Sequence, residues 1–143
     1  MKKKLIIGTA LLLLAATGFF AKGLLITQPV SKDINVEVYK DASYISPAYA
    51  DTYASLQVTV VRVRGNRKDT AWKHTFAPKQ LSAYPASDRP LVQKISIPNV
   101  NDRKEKLEIY YRLTYNTKGS VLDFLNTSMI AKGQQSGKVN IKI

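Results

Sequence analysis

The sequence predicts an all-β domain: an antiparallel two-layer β-sandwich of seven or eight strands, preceded by an N-terminal apolar helix. Three observations predict it. Apolar residues alternate with polar ones at a period of two in several stretches, most cleanly over Leu107 to Tyr115. Turn-rich segments containing Gly, Pro, Asn, Asp and Ser separate these stretches. No helical pattern alternates with the strands, which disfavours a parallel sheet and leaves two antiparallel layers as the way to bury one apolar face per sheet.

The chain opens with Lys2, Lys3 and Lys4, followed by an uncharged apolar run from Leu5 to Ala16 and the small residues of Ala16-Thr17-Gly18. This is the pattern of a bacterial-type secretory signal peptide. A second reading stands beside it. Leu5 to Ile26 is 22 residues, long enough at about 1.5 Å per residue to cross a hydrocarbon core of roughly 30 Å as an uncleaved anchor. Lys22 can reach the interface along its aliphatic stem, and the three N-terminal lysines orient the remainder outward. Both readings place the rest of the chain outside the cytoplasm, as a periplasmic or secreted protein or one tethered through residues 5–26. The expected organisation is a leader or anchor over 1–26, a linker over 27–33 and a β-sandwich over 34–143.

Within the sandwich, Ile34, Val36 and Val38 alternate with Asn35 and Glu37 as a half-buried strand. Residues 40–52 read as a loop. Tyr53 to Arg64 is the next strand, but its apolar residues change parity: Leu56, Val58 and Val60 are even, Val61 and Val63 odd. Such a switch calls for a bulge or a passage between sheet environments. After the turn at Gly65-Asn66, Trp72, His74 and Phe76 share a strand face. Residues 78–90 hold three prolines and read as a long loop. Leu91 to Ile97 is a short strand ended by Pro98, and Asn99 to Lys106 is a polar connection. Leu107 to Tyr115 is followed by a turn at Thr117-Lys118-Gly119-Ser120. Residues 120–133 predict a strand, a break at Asn126-Thr127-Ser128 and a second strand, with a capped helix as the alternative. Val139, Ile141 and Ile143 form a terminal strand.

The run Tyr111 to Ser120, ending Asn-Thr-Lys-Gly-Ser, resembles the late hairpin of immunoglobulin-like and fibronectin-III-like modules. The resemblance implies that architecture and no particular family, because the paired cysteines of antibody domains are absent.

Composition narrows the function. The 143 residues contain no Cys and one His, which excludes disulfides, thiol catalysis, thiolate metal sites and multi-histidine centres. The acids are dispersed, and no phosphate-binding, dinucleotide or serine-hydrolase motif occurs. No cofactor or metal and no catalytic residue is expected. His74, between two aromatic residues, reads as a core-edge histidine. Asn126-Thr127-Ser128 matches a glycosylation sequon, which carries little meaning behind a bacterial-type leader. Tyr44, Tyr49, Tyr53 and Tyr84 read as loop anchors or as a binding surface.

The formal net charge is +12, yet Lys2 to Lys4 belong to the leader. Residues 61–79 carry six basic residues against Asp69 alone. With Val61 and Val63 facing inward, Arg62, Arg64 and Lys73 are expected to point outward, with Arg67 and Lys68 at the hairpin tip. The expected function is a non-catalytic envelope module, binding or structural, whose basic hairpin contacts an anionic envelope component or a partner protein. A solvated, aggregation-resistant edge explains the same charges without a ligand. Nucleic acid is not an expected partner, since export removes it and no RNA-recognition motif is present. The alternatives are an envelope-polymer hydrolase using dispersed carboxylates, and a subunit of a surface or secretion assembly.

Overall fold

The computed structural model describes residues 28–41 and 49–143. The readings for the leader or anchor, for Tyr44 and for most of the loop that holds it lie outside the described residues. Eight strands form two sheets packed against each other: β1 (Val30–Tyr39), β2 (Thr52–Arg64), β3 (Arg67–Thr75), β4 (Lys79–Gln80), β5 (Leu91–Val100), β6 (Glu105–Thr117), β7 (Ser120–Ile130) and β8 (Ser136–Lys142). The smaller sheet has the order β5-β1-β8; the larger runs β3-β2-β6-β7, with β4 pairing to β2. The chain therefore changes sheet between β1 and β2, before and after β5, and again between β7 and β8.

Alternation explains the core. β1 buries Ile34, Val36 and Val38 completely, and β2 buries Ala54, Leu56, Val58 and Val60. These meet Leu107, Ile109 and Leu113 of β6, Ile95 and Ile97 of β5, and Val139 and Ile141 of β8. At about 25 cal/mol per Å² of apolar surface removed from water, this shared interior is the main force joining the sheets. Tyr84, in the connection before β5, closes one end. Its ring is buried, its hydroxyl donates to the Ala54 carbonyl at 3.0 Å, and burial raises its pKa.

Four sequence expectations need correction. First, the sandwich is not wholly antiparallel: β1 and β8 run parallel, Asp33 opposite Ser136 through Tyr39 opposite Lys142. β8 enters from β7 in the other sheet, and such a crossover permits parallel pairing where a hairpin does not. Second, β7 is one uninterrupted strand. Asn126, Thr127 and Ser128 do not break it, because they pair with Tyr111, Tyr110 and Ile109 of β6. Third, β5 continues through Pro98 to Val100. β5 is an edge strand, where a missing N–H costs no ladder bond. The extra length is absorbed by a register shift against Val30/Lys32, with Asn99 at φ 58°. Fourth, β1 starts at Val30 and so reaches into the stretch read as a linker.

The parity switch in β2 resolves in an unexpected way. A bulge does lie at Val60/Val61, but the extra residue is Ala71 on β3: Val60 pairs with Trp72 and Val61 with Thr70. Against β6 the register of β2 never slips, from Thr52 opposite Thr117 to Arg64 opposite Glu105. Even-numbered residues of β2 thus keep the core-facing side along its whole length.

At the opposite end from Tyr84, a buried lysine ties the start of β1 to two connections. Lys32 Nζ lies 2.6 Å from Asp102 Oδ1 and donates to the carbonyls of Ala131 and Gln134, each at 2.9 Å. Asp102 also accepts from the Gly133 N–H at 2.9 Å. All three ammonium donors are used, as a buried charge requires.

Candidate functional site: the basic hairpin

The β2–β3 hairpin brings Arg62, Arg64, Arg67, Lys68 and Lys73 onto one edge region of the larger sheet, but not onto one surface. Arg62 and Arg64 stand opposite Leu107 and Glu105. They therefore occupy the core-facing side, correcting the expectation that they point outward. The apolar neighbours Val61 and Val63 suggested the opposite orientation. Val63 is indeed buried, although on the outer side, where it lies in register with Lys106 on one flank and Lys68 on the other. Long aliphatic stems shield such a position while their charges remain in water.

The core-facing arginines converge on Glu105, a carboxylate with almost no exposed surface. Arg64 Nε donates to Glu105 Oε1 at 2.8 Å, and its guanidinium also pairs through Nη2. Arg62 Nε is 3.8 Å from Oε2, and Arg62 Nη2 donates to the Pro98 carbonyl at 2.9 Å. The Asn101 N–H donates to Oε2 at 2.8 Å. Burial by itself raises the Glu105 pKa. The Asn101 and Arg64 hydrogen bonds and the two guanidinium charges outweigh it, and the net shift is downward.

On the outer side, Lys68 Nζ pairs with Glu108 Oε2 at 2.8 Å and donates to the Tyr110 hydroxyl at 3.2 Å. The Tyr110 hydroxyl donates to the same carboxylate oxygen at 2.6 Å, and Lys106 Nζ lies 3.0 Å from Oε1. Lys68, Tyr110 and Lys106 together hold the Glu108 carboxyl down at about 2, and Glu108 in turn raises the Lys68 pKa. Arg67 Nε is 3.0 Å from Asp69 Oδ2, with both side chains largely in solvent. Lys73 sits on the outer side opposite Thr59, exposed, with no ion-pair partner among the described residues.

Four of the five basic residues thus have an acidic partner. Sequence reading missed Glu105 and Glu108 because they arrive from β6. Only the pairing of β2 with β6 reveals them, and the alternation of β6 places Glu108 on an outer face without saying which strand lies beside it.

The other sequence candidates separate in the same way. Trp72, His74 and Phe76 share a face as expected. The imidazole lies 5.8 Å from the Trp72 ring, tilted by 35° to it, and meets the Phe76 ring edge-on at 4.7 Å. Among the tyrosines, Tyr84 is a core plug. Tyr49 lines a groove with Leu81, Tyr115, Leu122 and Phe124, whereas Tyr53 lines a shallow hollow on the outer side with Pro78 and Asn116. They do not form one cluster. Among the described residues there is no group of three His, Asp or Glu side chains able to hold a metal ion, and no helix long and apolar enough to cross a membrane. Comparison of the chain with protein-family models, with curated proteins and with solved structures finds no match.

Proposed function

We propose that this chain is an exported, non-catalytic β-sandwich module of the bacterial cell envelope, with a binding or structural role, and that it contacts an anionic partner through the outer side of the β2–β3 hairpin. The observation that carries this reading is the exposure of three cations along β3. Arg67 and Lys68 have side chains 79% and 55% exposed beside the turn, and Lys73 follows on the same strand. Asp69, the partner of Arg67, is 55% exposed, and such ion pairs are worth about 0–1 kcal/mol; Glu108, the partner of Lys68, keeps Lys106 and Tyr110 when Lys68 turns to another anion. A phosphate-bearing or carboxylate-bearing polymer can displace such pairing at little cost. Arg62 and Arg64 serve the buried carboxylate instead and contribute only long-range potential. Export rests on the Lys2–Lys4 and Leu5–Ala16 pattern.

We read the strand arrangement as fibronectin-III-like. Three features support this: three strands face a larger sheet, β1 and β2 lie in opposite sheets, and β6 and β7 form a late hairpin. In this reading β8 occupies the place beside β1 that an initial strand fills in such modules.

The test is retention of the full chain on an immobilised sulfated polysaccharide across a salt gradient. The variant is Arg67→Gln/Lys68→Gln/Lys73→Gln, and the charge-matched control is Arg89→Gln/Lys94→Gln/Lys132→Gln. The hairpin variant should elute at clearly lower salt than the control, since exposed charges act over about 8–10 Å at physiological ionic strength. Equal elution of the two variants sinks the proposal, because it leaves only net charge.

A further inference from the structure

Three of the four main strand edges in this sandwich are guarded. β3 carries Arg67, Lys68, Lys73 and the Ala71 bulge; β5 carries Lys94, Pro98 and a bulge; β8 carries Lys138 and Lys142. Charged side chains, proline and bulges are the usual protection against edge-to-edge pairing. β7 has neither a proline nor a bulge and no basic residue. It is 11 residues long, has no register shift against β6, and holds one charge, Asp123. Val121, Leu122, Phe124, Leu125 and Met129 are all at least half exposed. They lie on both faces: Leu122 and Phe124 on one, Val121, Leu125 and Met129 on the other. No strand among the described residues pairs with the outer edge of β7.

The backbone groups offered by that edge follow from the hairpin. β6 and β7 are joined by Lys118 and Gly119 alone, both at positive φ (48° and 87°), the conformation of a two-residue type I′ turn. The flanking pair Thr117/Ser120 is then hydrogen-bonded, and bonded pairs alternate along the ladder. Even-numbered residues of β7 direct their N–H and C=O groups to β6. The odd-numbered residues Val121, Asp123, Leu125, Thr127 and Met129 direct theirs to the free edge.

We propose that β7 pairs antiparallel with β7 of a second copy about a two-fold axis at Leu125, joining two larger sheets into one continuous sheet. The strand is complementary to itself in this register. Leu125 faces Leu125 of the copy, Val121 faces Met129, and Asp123 faces Thr127. All five free-edge residues find a bonded partner, apolar side chains meet on the outer face, and no two carboxylates stand opposite each other. Placing the axis between two residues sets odd-numbered residues opposite even-numbered ones and points the bonding groups away from one another. Moving it by one or more whole residues keeps the bonding but leaves part of the edge unpaired. This dimer stands independently of the anionic contact, since the β3 edge is at the far side of the same sheet.

The test uses the full chain in detergent, so that any association through residues 1–27 is common to every variant. Protein mass per particle is measured by light scattering for the wild type, Leu125→Lys, Leu125→Glu and an equimolar mixture of the two variants. Leu125 is 62% exposed, so neither substitution disturbs the core. The wild type should be dimeric. Each variant, placing like charges face to face on the axis, should have half that mass, and the mixture should regain the dimer. In a chain without cysteine, Leu125→Cys should also form a disulfide-linked dimer on mild oxidation faster than Thr127→Cys, because only residue 125 meets its own copy. A wild type with one copy per particle, or a Leu125→Lys mass equal to the wild type's, overturns the proposal. Equal cross-linking at positions 125 and 127 overturns the register.

Discussion

Lys32 Nζ lies 2.6 Å from Asp102 Oδ1, and the lysine side chain has no exposed surface. The pair links the start of β1 to the β5–β6 connection, and the two carbonyls on the same ammonium link both to the β7–β8 connection. Lys32→Ala removes the donor to three acceptors at once. It should destabilise the fold by about 3–5 kcal/mol, the range for breaking a buried pair from one side. A urea unfolding curve measures this as a lower midpoint with an unchanged slope.

The buried Glu105 and the exposed Asp69 set up a contrast within the hairpin. Glu105→Ala leaves Arg62 and Arg64 without their acid and the Asn101 N–H without its acceptor, so a loss of about 3 kcal/mol is expected. Arg67→Ala removes an ion pair in solvent and should change stability by less than about 0.5 kcal/mol. Thermal unfolding of the two variants side by side checks this. A large loss for Arg67→Ala would contradict the solvated pairing described above.

Acid should unfold the protein in a defined window. Glu108, Glu105 and Asp102 all titrate below their ordinary values of 4.5, 4.5 and 3.8 in the folded chain. A depressed carboxylate stabilises the fold above its unfolded pKa, and that contribution disappears as pH falls through the folded value. For Glu108 the window runs from 4.5 down to about 2. The melting temperature should be flat near neutrality and fall across that window. Glu108→Gln should start lower and fall less steeply. Lys68, raised above 10.5 by Glu108 and Tyr110, adds the opposite edge: its contribution is present below 10.5 and fades as pH rises through the folded value.

Gly137 faces Ile130 across the β7–β8 connection. A β-carbon there would lie 2.7 Å from both Cδ1 and Cγ1 of the buried isoleucine. Gly137→Ala should cost about 1–3 kcal/mol through overpacking. The double variant Gly137→Ala/Ile130→Val should recover part of the loss, because the valine lacks the Cδ1 methyl. A denaturant titration of the three variants reads this coupling.

Legibility from sequence followed the environment of each strand. β6 was plain because one of its faces is buried along most of its length and the other is wet, so Leu107, Ile109 and Leu113 alternate with polar residues. β7 was obscure because it is an edge strand with no fully buried face: Leu122 and Phe124 lie on one side, Val121 and Leu125 on the other, and the period of two dissolves. Lys32 was invisible as a buried residue, since its acceptors come from Asp102, Ala131 and Gln134, distant in the chain. The five basic residues were found from their density. Their orientation was missed at Arg62 and Arg64 because polarity is a guide to exposure only where no buried acid waits opposite. Glu105, the residue that inverts the pattern, belongs to the next sheet neighbour and not to the hairpin.

The parallel pairing of β1 with β8 has a consequence in time. Among the described strands β1 is the first to be synthesised, and the partner on one of its sides comes after all the others. Until residues 136–142 have been synthesised, Ile34, Val36 and Val38 belong to a sheet with one side missing, however complete the β2–β6–β7 meander already is. Contacts of such long sequence separation form slowly. Closure of the smaller sheet is therefore governed by the last of the described strands to arrive.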